Sequence, residues 1–259
     1  MIEQPTWFDM GNKVVVITGS SGWIGQALVR RYASAGAAVV LHYFTHSEPV
    51  HNLANAIVAH GGKATCVQAN LSDVQGVESL LRTTLETFSK VDIWINNAGT
   101  YPVASILDMP IEEWNEIINI NLNSVFVSIK AVARQMIDQG NGGVIINIAS
   151  IEGLSPAKGH SHYSSAKAAL IMLTRAAAYE LGPYGIRVNA ISPGLIARPG
   201  IEEAWPQGVK SWLETAPLQR MGRPEEIAEA CFFLSSPAAA WITGTNLVID
   251  GGASCRPIF

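Results

Sequence analysis

Tyr163 and Lys167 stand four residues apart in the segment His-Tyr-Ser-Ser-Ala-Lys, and on a helix that spacing puts both side chains on one face. A free phenol has a pKa of about 10 and is a poor acid or base near neutrality. An ammonium beside it stabilises the phenolate and lowers that value, so the pair predicts a tyrosine that exchanges a proton with a substrate oxygen. A second cluster is glycine-rich: Thr18-Gly19-Ser20-Ser21-Gly22-Trp23-Ile24-Gly25 follows an apolar run and opens a helical pattern. Glycines there let the backbone turn tightly and approach a pyrophosphate, whose charge the helix N-terminus stabilises. Taken singly, each feature also has a bland reading, as a packing tyrosine, a solvated lysine and a strand-to-helix turn.

The elements that must position these groups are legible as alternating patterns. Runs rich in β-branched residues predict strands over 13–18, 38–43, 64–68, 93–96, 144–149, 187–192 and 246–249, with helices starting near Trp23, Val50, Val74, Glu112, Ser164 and Pro224. The helix after Ile111 reads as one continuous stripe from Ile117 to Met136. Gly36 and Gly182 read as helix C-caps, each before a strand. Strands alternating with helices predict an α/β fold, a Rossmann-type doubly wound parallel sheet. No linker or repeat divides the chain, so 1–259 reads as a single domain, with 194–223, rich in Pro and Gly, as a flap over the substrate side.

Composition narrows the function classes. In 259 residues, 48% are hydrophobic and the net charge is -4 without any basic block, which argues against a nucleic-acid partner. Cys66, Cys231 and Cys255 are far apart and match no metal or disulfide spacing, so no metal is expected and a reducing, cytoplasmic location fits. The acidic start of the chain does not read as a signal peptide, and the apolar runs are too short to cross a membrane.

Further signals fall in a fixed order: Asn96-Asn97-Ala98-Gly99 after a strand, Asn121 in Ile-Asn-Leu-Asn, Ser150 at a strand end, then Tyr163 and Lys167, then Pro193-Gly194. Over essentially the whole chain this order resembles the classical short-chain dehydrogenase/reductase family. The resemblance implies an NAD(P)-dependent oxidoreductase that interconverts a carbonyl and a secondary alcohol. Tyr163 would be the acid/base and Lys167 would also hold the nicotinamide ribose. Ser150 would bind the substrate oxygen, and Asn121 a water that links Lys167 to solvent. It also implies cofactor contacts at Gly19, Ser21, Trp23 and Ile24 in the turn, at Asn70 and Leu71 near the adenine, at Asn97, Ala98 and Gly99, and at Pro193, Gly194 and Ile196. Arg198 could bind the pyrophosphate or be a solvated loop arginine. Glu152, at the pocket mouth by analogy, could accept hydrogen bonds from a polyol or be an exposed loop residue. His160 and His162 read as loop polarity, and Trp205, Trp212 and Trp241 as a substrate cover or as packing anchors.

One departure stands out, because the family turn usually has its second glycine where this chain has Trp23, and Gly22 precedes it. That spacing looks like the extended branch of epimerases and dehydratases, but only 65 residues follow Gly194, too few for their substrate domain. An epimerase or dehydratase therefore remains an alternative, as does a non-catalytic dinucleotide sensor.

The end of the second strand bears on the cofactor, since an acid there favours NAD and repels a 2′-phosphate. Here the first acid is Glu48, while Thr45, His46 and Ser47 can donate hydrogen bonds, so NADP is expected and NAD is the alternative. The substrate is expected to be a small molecule, as in 3-oxoacyl carrier-protein reductases or sugar and polyol dehydrogenases. Surplus apolar residues on the helices around Ser124 and Ala168, with the apolar C-terminal segment, predict a homotetramer.

Overall fold

The computed structural model describes residues 8–255, so the start of the chain and residues 256–259, invoked above for targeting and for an interface, lie outside it. Seven strands form one sheet in the order β3-β2-β1-β4-β5-β6-β7. They are β1 (Val14–Ile17), β2 (Ala38–Tyr43), β3 (Lys63–Gln68), β4 (Ile93–Asn96), β5 (Gly143–Ile148), β6 (Ile186–Pro193) and β7 (Asn246–Ile249). Every pairing is parallel. β1 and β4 are buried at all positions, as continuous apolar strands covered on both faces must be.

Two apolar cores sit on the two faces. One is built on α1 (Trp23–Ser34), α2 (Glu48–Ala59) and α9 (Pro224–Ser235). The other is built on α3 (Val74–Phe88), α5 (Ser124–Gln139) and α6 (Ser161–Leu181). The chain leaves β1 toward one face and β4 toward the other, which opens a crevice at the carboxyl ends of these two neighbours.

Three local features differ from the sequence reading. The long helix after Ile111 is broken: α4 (Ile111–Ile118) passes into a π-helical turn at Asn119–Asn123 before α5 begins. An apolar stripe cannot show the extra residue of such a turn, because the side chains on either side keep near-helical spacing. Gly182 does cap α6, but with right-handed helical dihedrals, and the left-handed residue comes three later, Gly185 at φ 71°. α6 begins at Ser161 rather than Ser164, which puts Tyr163 in its first turn. The 194–223 segment holds two short helices, α7 (Ile201–Ala204) and α8 (Pro206–Thr215).

A chain of buried side chains crosses from the sheet to α6. Trp94 Nε1 donates to Asn96 Oδ1, Asn96 Nδ2 to Asn147 Oδ1, Asn147 Nδ2 to Thr174 Oγ1, and Thr174 Oγ1 to Leu170 O, each at 2.8–2.9 Å. Every donor is satisfied, so the cost of cutting the chain is that of an orphaned buried amide. Thr174→Val should lower unfolding stability by about 1–3 kcal/mol, read as a fall in the urea midpoint at unchanged slope.

Candidate active site

The turn after β1 is held by its neighbours. Thr18 Oγ1 donates to Ile95 O and accepts from the backbone N–H groups of Asn97 and Ala98, while Asn97 Nδ2 donates to Thr18 O and Gly19 O. Gly19 has φ 65°, and a Cβ there would lie 2.8 Å from Ala98 Cα; one on Gly25 would lie 2.3 Å from Gly19 O. Gly22 is different, with an ordinary φ of -74° and only Gly19 O, at 3.6 Å, near an added Cβ. Two glycines are therefore demanded by the backbone and the third is not, so the displaced glycine spacing costs the turn nothing.

α1 starts without a side-chain cap or an acid in its first turn. The first N–H to reach back is that of Gln26, which donates to Gly22 O, so the N–H groups of Trp23, Ile24 and Gly25 are orphan donors. An uncapped helix start above a glycine cradle fits a dinucleotide pyrophosphate. Trp23 stands half-exposed there and lines a cavity of about 460 Å³ together with Arg198, Pro199 and Met221.

His42 on β2 ties this turn to the next strand. Its Nδ1 accepts from Gly19 N–H at 3.1 Å, and its Nε2 donates to Ala69 O at 3.0 Å. Burial lowers its pKa to about 4, so it stays neutral. Beyond β2, Thr45, His46 and Ser47 are exposed at the start of α2. Asn70 is engaged locally, with Nδ2 donating to Asp73 and Oδ1 accepting from Ser72 N–H, and Leu71 beside it is buried.

Four side chains converge at the ends of β4 and β5. The π turn points Asn121 inward, where Nδ2 donates to Thr100 O at 2.9 Å and to Ile117 O at 3.1 Å. Its Oδ1 is buried without a protein partner. A Cβ on Gly99 would lie 2.7 Å from that oxygen and 3.7 Å from Lys167 Nζ. Lys167 is buried, donates to Ile148 O at 2.8 Å, and has its Nζ 5.4 Å from the centre of the Tyr163 ring. Ser150, at the end of β5, accepts the backbone N–H of Glu152 at 3.1 Å, which leaves its own O–H free to donate.

The protonation of Tyr163 departs from the sequence expectation. Burial, then the Glu152 carboxylate, push the phenol up, and the Ser150 hydroxyl opposes them. Lys167 cannot lower it strongly because its ammonium is turned to Ile148 O and is itself desolvated, with a pKa brought down to about 8. In the free protein Tyr163 is a protonated donor.

The mouth contains residues whose importance the sequence reading missed. His160 is no solvated loop residue: its Nδ1 lies 2.9 Å and 3.2 Å from the two Glu152 oxygens. His162 is fully buried, accepts Tyr163 N–H at its Nδ1, and faces Glu113 Oε1 across 3.5 Å. Tyr101, just beyond the Asn-Asn-Ala-Gly run, tilts over the Tyr163 ring with centroids 5.8 Å apart and accepts a hydrogen bond from Arg198. Only its adjacency to that run could have flagged it. Pro193 ends β6, Gly194 packs under Trp212, and Ile196 bridges to Gly222. Trp205 packs on Gly208, whereas Trp241 is fully exposed. No cluster of three or more His, Cys, Asp or Glu is arranged for a metal among the described residues.

A family model described as enoyl-(acyl carrier protein) reductase matches residues 19–254. A 3-oxoacyl-[acyl-carrier-protein] reductase of Synechocystis is 40% identical, covering 93% of this chain and 96% of its own. An Eggerthella lenta 3beta-hydroxysteroid dehydrogenase is 38% identical, with 97% of both chains covered. The crystal structure of a short-chain type dehydrogenase/reductase from Mycobacterium marinum superposes with a TM-score of 0.91 at 39% identity, covering 96% of this chain and 98% of that one. The chain belongs to the classical short-chain dehydrogenase/reductase family. As a short-chain dehydrogenase/reductase it is an NAD(P)-dependent oxidoreductase of CH–OH groups.

The buried ammonium gives this short-chain dehydrogenase/reductase a specific pH signature. Lys167 titrates at about 8 when folded and at 10.5 in its ordinary state. Between these values the unfolded chain binds more protons, so stability rises with pH across that window and is flat below it. The stability of wild type relative to Lys167→Met should grow by about 3 kcal/mol from pH 8 to 10.5 in denaturant titrations. A flat difference would mean that the ammonium is not desolvated.

Proposed function

We propose that this enzyme interconverts a ketone or aldehyde and a secondary alcohol, with Tyr163 as the acid and base and NADP as the preferred cofactor. The observation that carries this reading is the convergence of Ser150, Tyr163, Lys167 and Asn121 around the bare backbone of Gly99. The nicotinamide supplies or accepts the hydride at the carbonyl carbon. In reduction the Tyr163 O–H passes its proton to the carbonyl oxygen as that oxygen gains charge. Ser150 donates a hydrogen bond to the same oxygen. Lys167, with N–H groups beyond the one given to Ile148 O, holds the ribose and replenishes the proton. To Asn121 Oδ1 we assign the water that links Lys167 to solvent. A sensor that only bound a dinucleotide would need none of these four groups in one place.

The NADP preference rests on the exposed Thr45, His46 and Ser47 and on the lack of an acid before Glu48. Neither lysine nor arginine stands among them, so the preference is modest, and NAD is the second cofactor. By family resemblance a dinucleotide would be held by Gly19, Ser21, Trp23, Ile24, Asn97, Ala98, Pro193, Gly194 and Ile196, with its adenine toward Asn70 and Leu71. Relatives named as an acyl carrier-protein reductase and as an L-rhamnose 1-dehydrogenase (NAD(P)(+)) bracket the substrates, a 3-oxoacyl thioester at one end and a sugar at the other. The unpaired thiols of Cys66, Cys231 and Cys255 suit a cytoplasmic enzyme. Phe126 on α5 and Met172 and Tyr179 on α6 expose apolar surface consistent with a homotetramer. Light scattering at micromolar concentration should give four times the chain mass.

Tyr163→Phe keeps the ring and removes the transferable proton. It should lower kcat by at least about a thousandfold while the dissociation constant for NADPH stays within a few-fold, read by nucleotide fluorescence titration. Wild type should show a higher kcat/KM with NADPH than with NADH. Turnover by Tyr163→Phe near the wild-type rate would refute the assignment.

A further inference from the structure

Glu152 lies in the short turn that joins β5 to α6, two residues beyond Ser150. Its backbone N–H is spent on Ser150 Oγ, which fixes the turn against the group that binds the reacting oxygen. The side chain then runs back toward the first turn of α6. There His160 Nδ1 faces both carboxylate oxygens, at 2.9 Å and 3.2 Å, and Ser164 Oγ donates to Oε2 at 3.3 Å. The carboxylate remains about one-fifth exposed, and its charge is felt at the Tyr163 hydroxyl.

A carboxylate offers about four acceptor sites, and His160 and Ser164 supply two donors. It therefore keeps acceptor capacity beside the position of the reacting carbonyl. With Nδ1–H given to Glu152, His160 Nε2 is a further acceptor, and it is buried without a partner. Ser150 and Tyr163 present donors to one substrate oxygen, while Glu152 and His160 present acceptors next to it. A plain ketone would cover the carboxylate and leave its remaining acceptor sites without a donor. A negatively charged substrate group would be repelled at the same place.

We infer that Glu152, held in position by His160, is a specificity-determining residue that binds a hydroxyl on the carbon next to the reacting carbon, so that the enzyme favours vicinal diols and α-hydroxy ketones, polyols and sugars included. The inference rests on the oxidoreductase reading above and narrows its substrate class. The reaction itself is unchanged: with a nicotinamide bound, the alcohol C–H would leave as hydride, its O–H proton would replace the one that Tyr163 gives up to solvent by way of Lys167, and the neighbouring hydroxyl would stay intact while donating to Glu152.

The test uses matched pairs that differ only in that hydroxyl: cyclohexane-1,2-diol against cyclohexanol for oxidation, and 2-hydroxycyclohexanone against cyclohexanone for reduction. Wild type should have at least a tenfold higher kcat/KM for the hydroxylated member of each pair. Glu152→Gln removes the charge felt by Tyr163 on every substrate, so the readout is the ratio: it should lose about tenfold to a hundredfold more kcat/KM on the hydroxylated member than on the plain member of each pair, the excess lying mainly in KM. Its NADPH affinity and melting temperature should stay close to wild type. His160→Gln should fall between the two, because the carboxylate survives with a looser grip. Equal losses on both members, or a melting temperature that falls with both activities, would show that Glu152 only braces the start of α6 and would overturn the inference. Turnover of a 3-oxoacyl thioester or a steroid ketone with none of the diol would also overturn it and leave the oxidoreductase reading intact. No turnover of any alcohol or carbonyl with either cofactor would remove both.

Discussion

A buried ammonium is the constraint around which the site is organised. Lys167 is enclosed in the second layer of side chains over the sheet, where an unpaired charge would cost several kcal/mol. The structure meets this cost with dipoles rather than with a carboxylate. Ile148 O receives one N–H, and the neighbouring wall is the amide of Asn121, brought inward by a π turn in an otherwise regular helix pair. Gly99 must be bare for these groups to approach one another. Helix, turn and glycine thus answer a single electrostatic demand, and the same demand leaves the ammonium close to the pH at which it can release a proton.

The fold was legible because its signals are collective. β-Branched runs such as Val14–Ile17 and Ile93–Asn96 are apolar on both faces, which marks central parallel strands, and the helices between them set the crossover order. The site was legible where residue type and spacing coincide, as for Tyr163 with Lys167 and for the turn at Gly19. What the sequence hid depends on contacts between distant segments. The π turn at Asn121 leaves no trace in the apolar period. His42 looks like any polar residue in a strand, yet it bonds to Gly19 and Ala69, which are remote from it in the chain. His160 looked like loop polarity because its partner Glu152 lies eight residues back across a turn. The expected depression of the Tyr163 pKa failed for a related reason, since spacing fixes the face on which Lys167 lies but not the direction in which its Nζ points.

The two ends of the crevice handle charge in opposite ways. At the start of α1 the uncapped N–H groups of Trp23, Ile24 and Gly25 create a positive potential, with Arg198 lining the same cavity as Trp23. At the proposed substrate end the Glu152 carboxylate stands beside Tyr163, and Arg198 donates to Tyr101. An anion is therefore welcomed on one side of Tyr163 and resisted on the other, which orients an asymmetric ligand before any specific contact forms.

The 194–223 segment is tied at both ends to the last strand and the turn after it. Gly194 N–H donates to Ile249 O, Leu218 N–H donates to Gly251 O, and Asp250 holds the following turn through the N–H groups of Gly252 and Ser254. β7 itself pairs only with β6, at the sheet edge. The 194–223 segment thus has its hydrogen-bonded footing on the last strand, whereas β1, β2 and β4 pair without it. Loosening of the sheet edge at β7 would therefore free the 194–223 segment while leaving the turn between β1 and β4 held by its own hydrogen bonds.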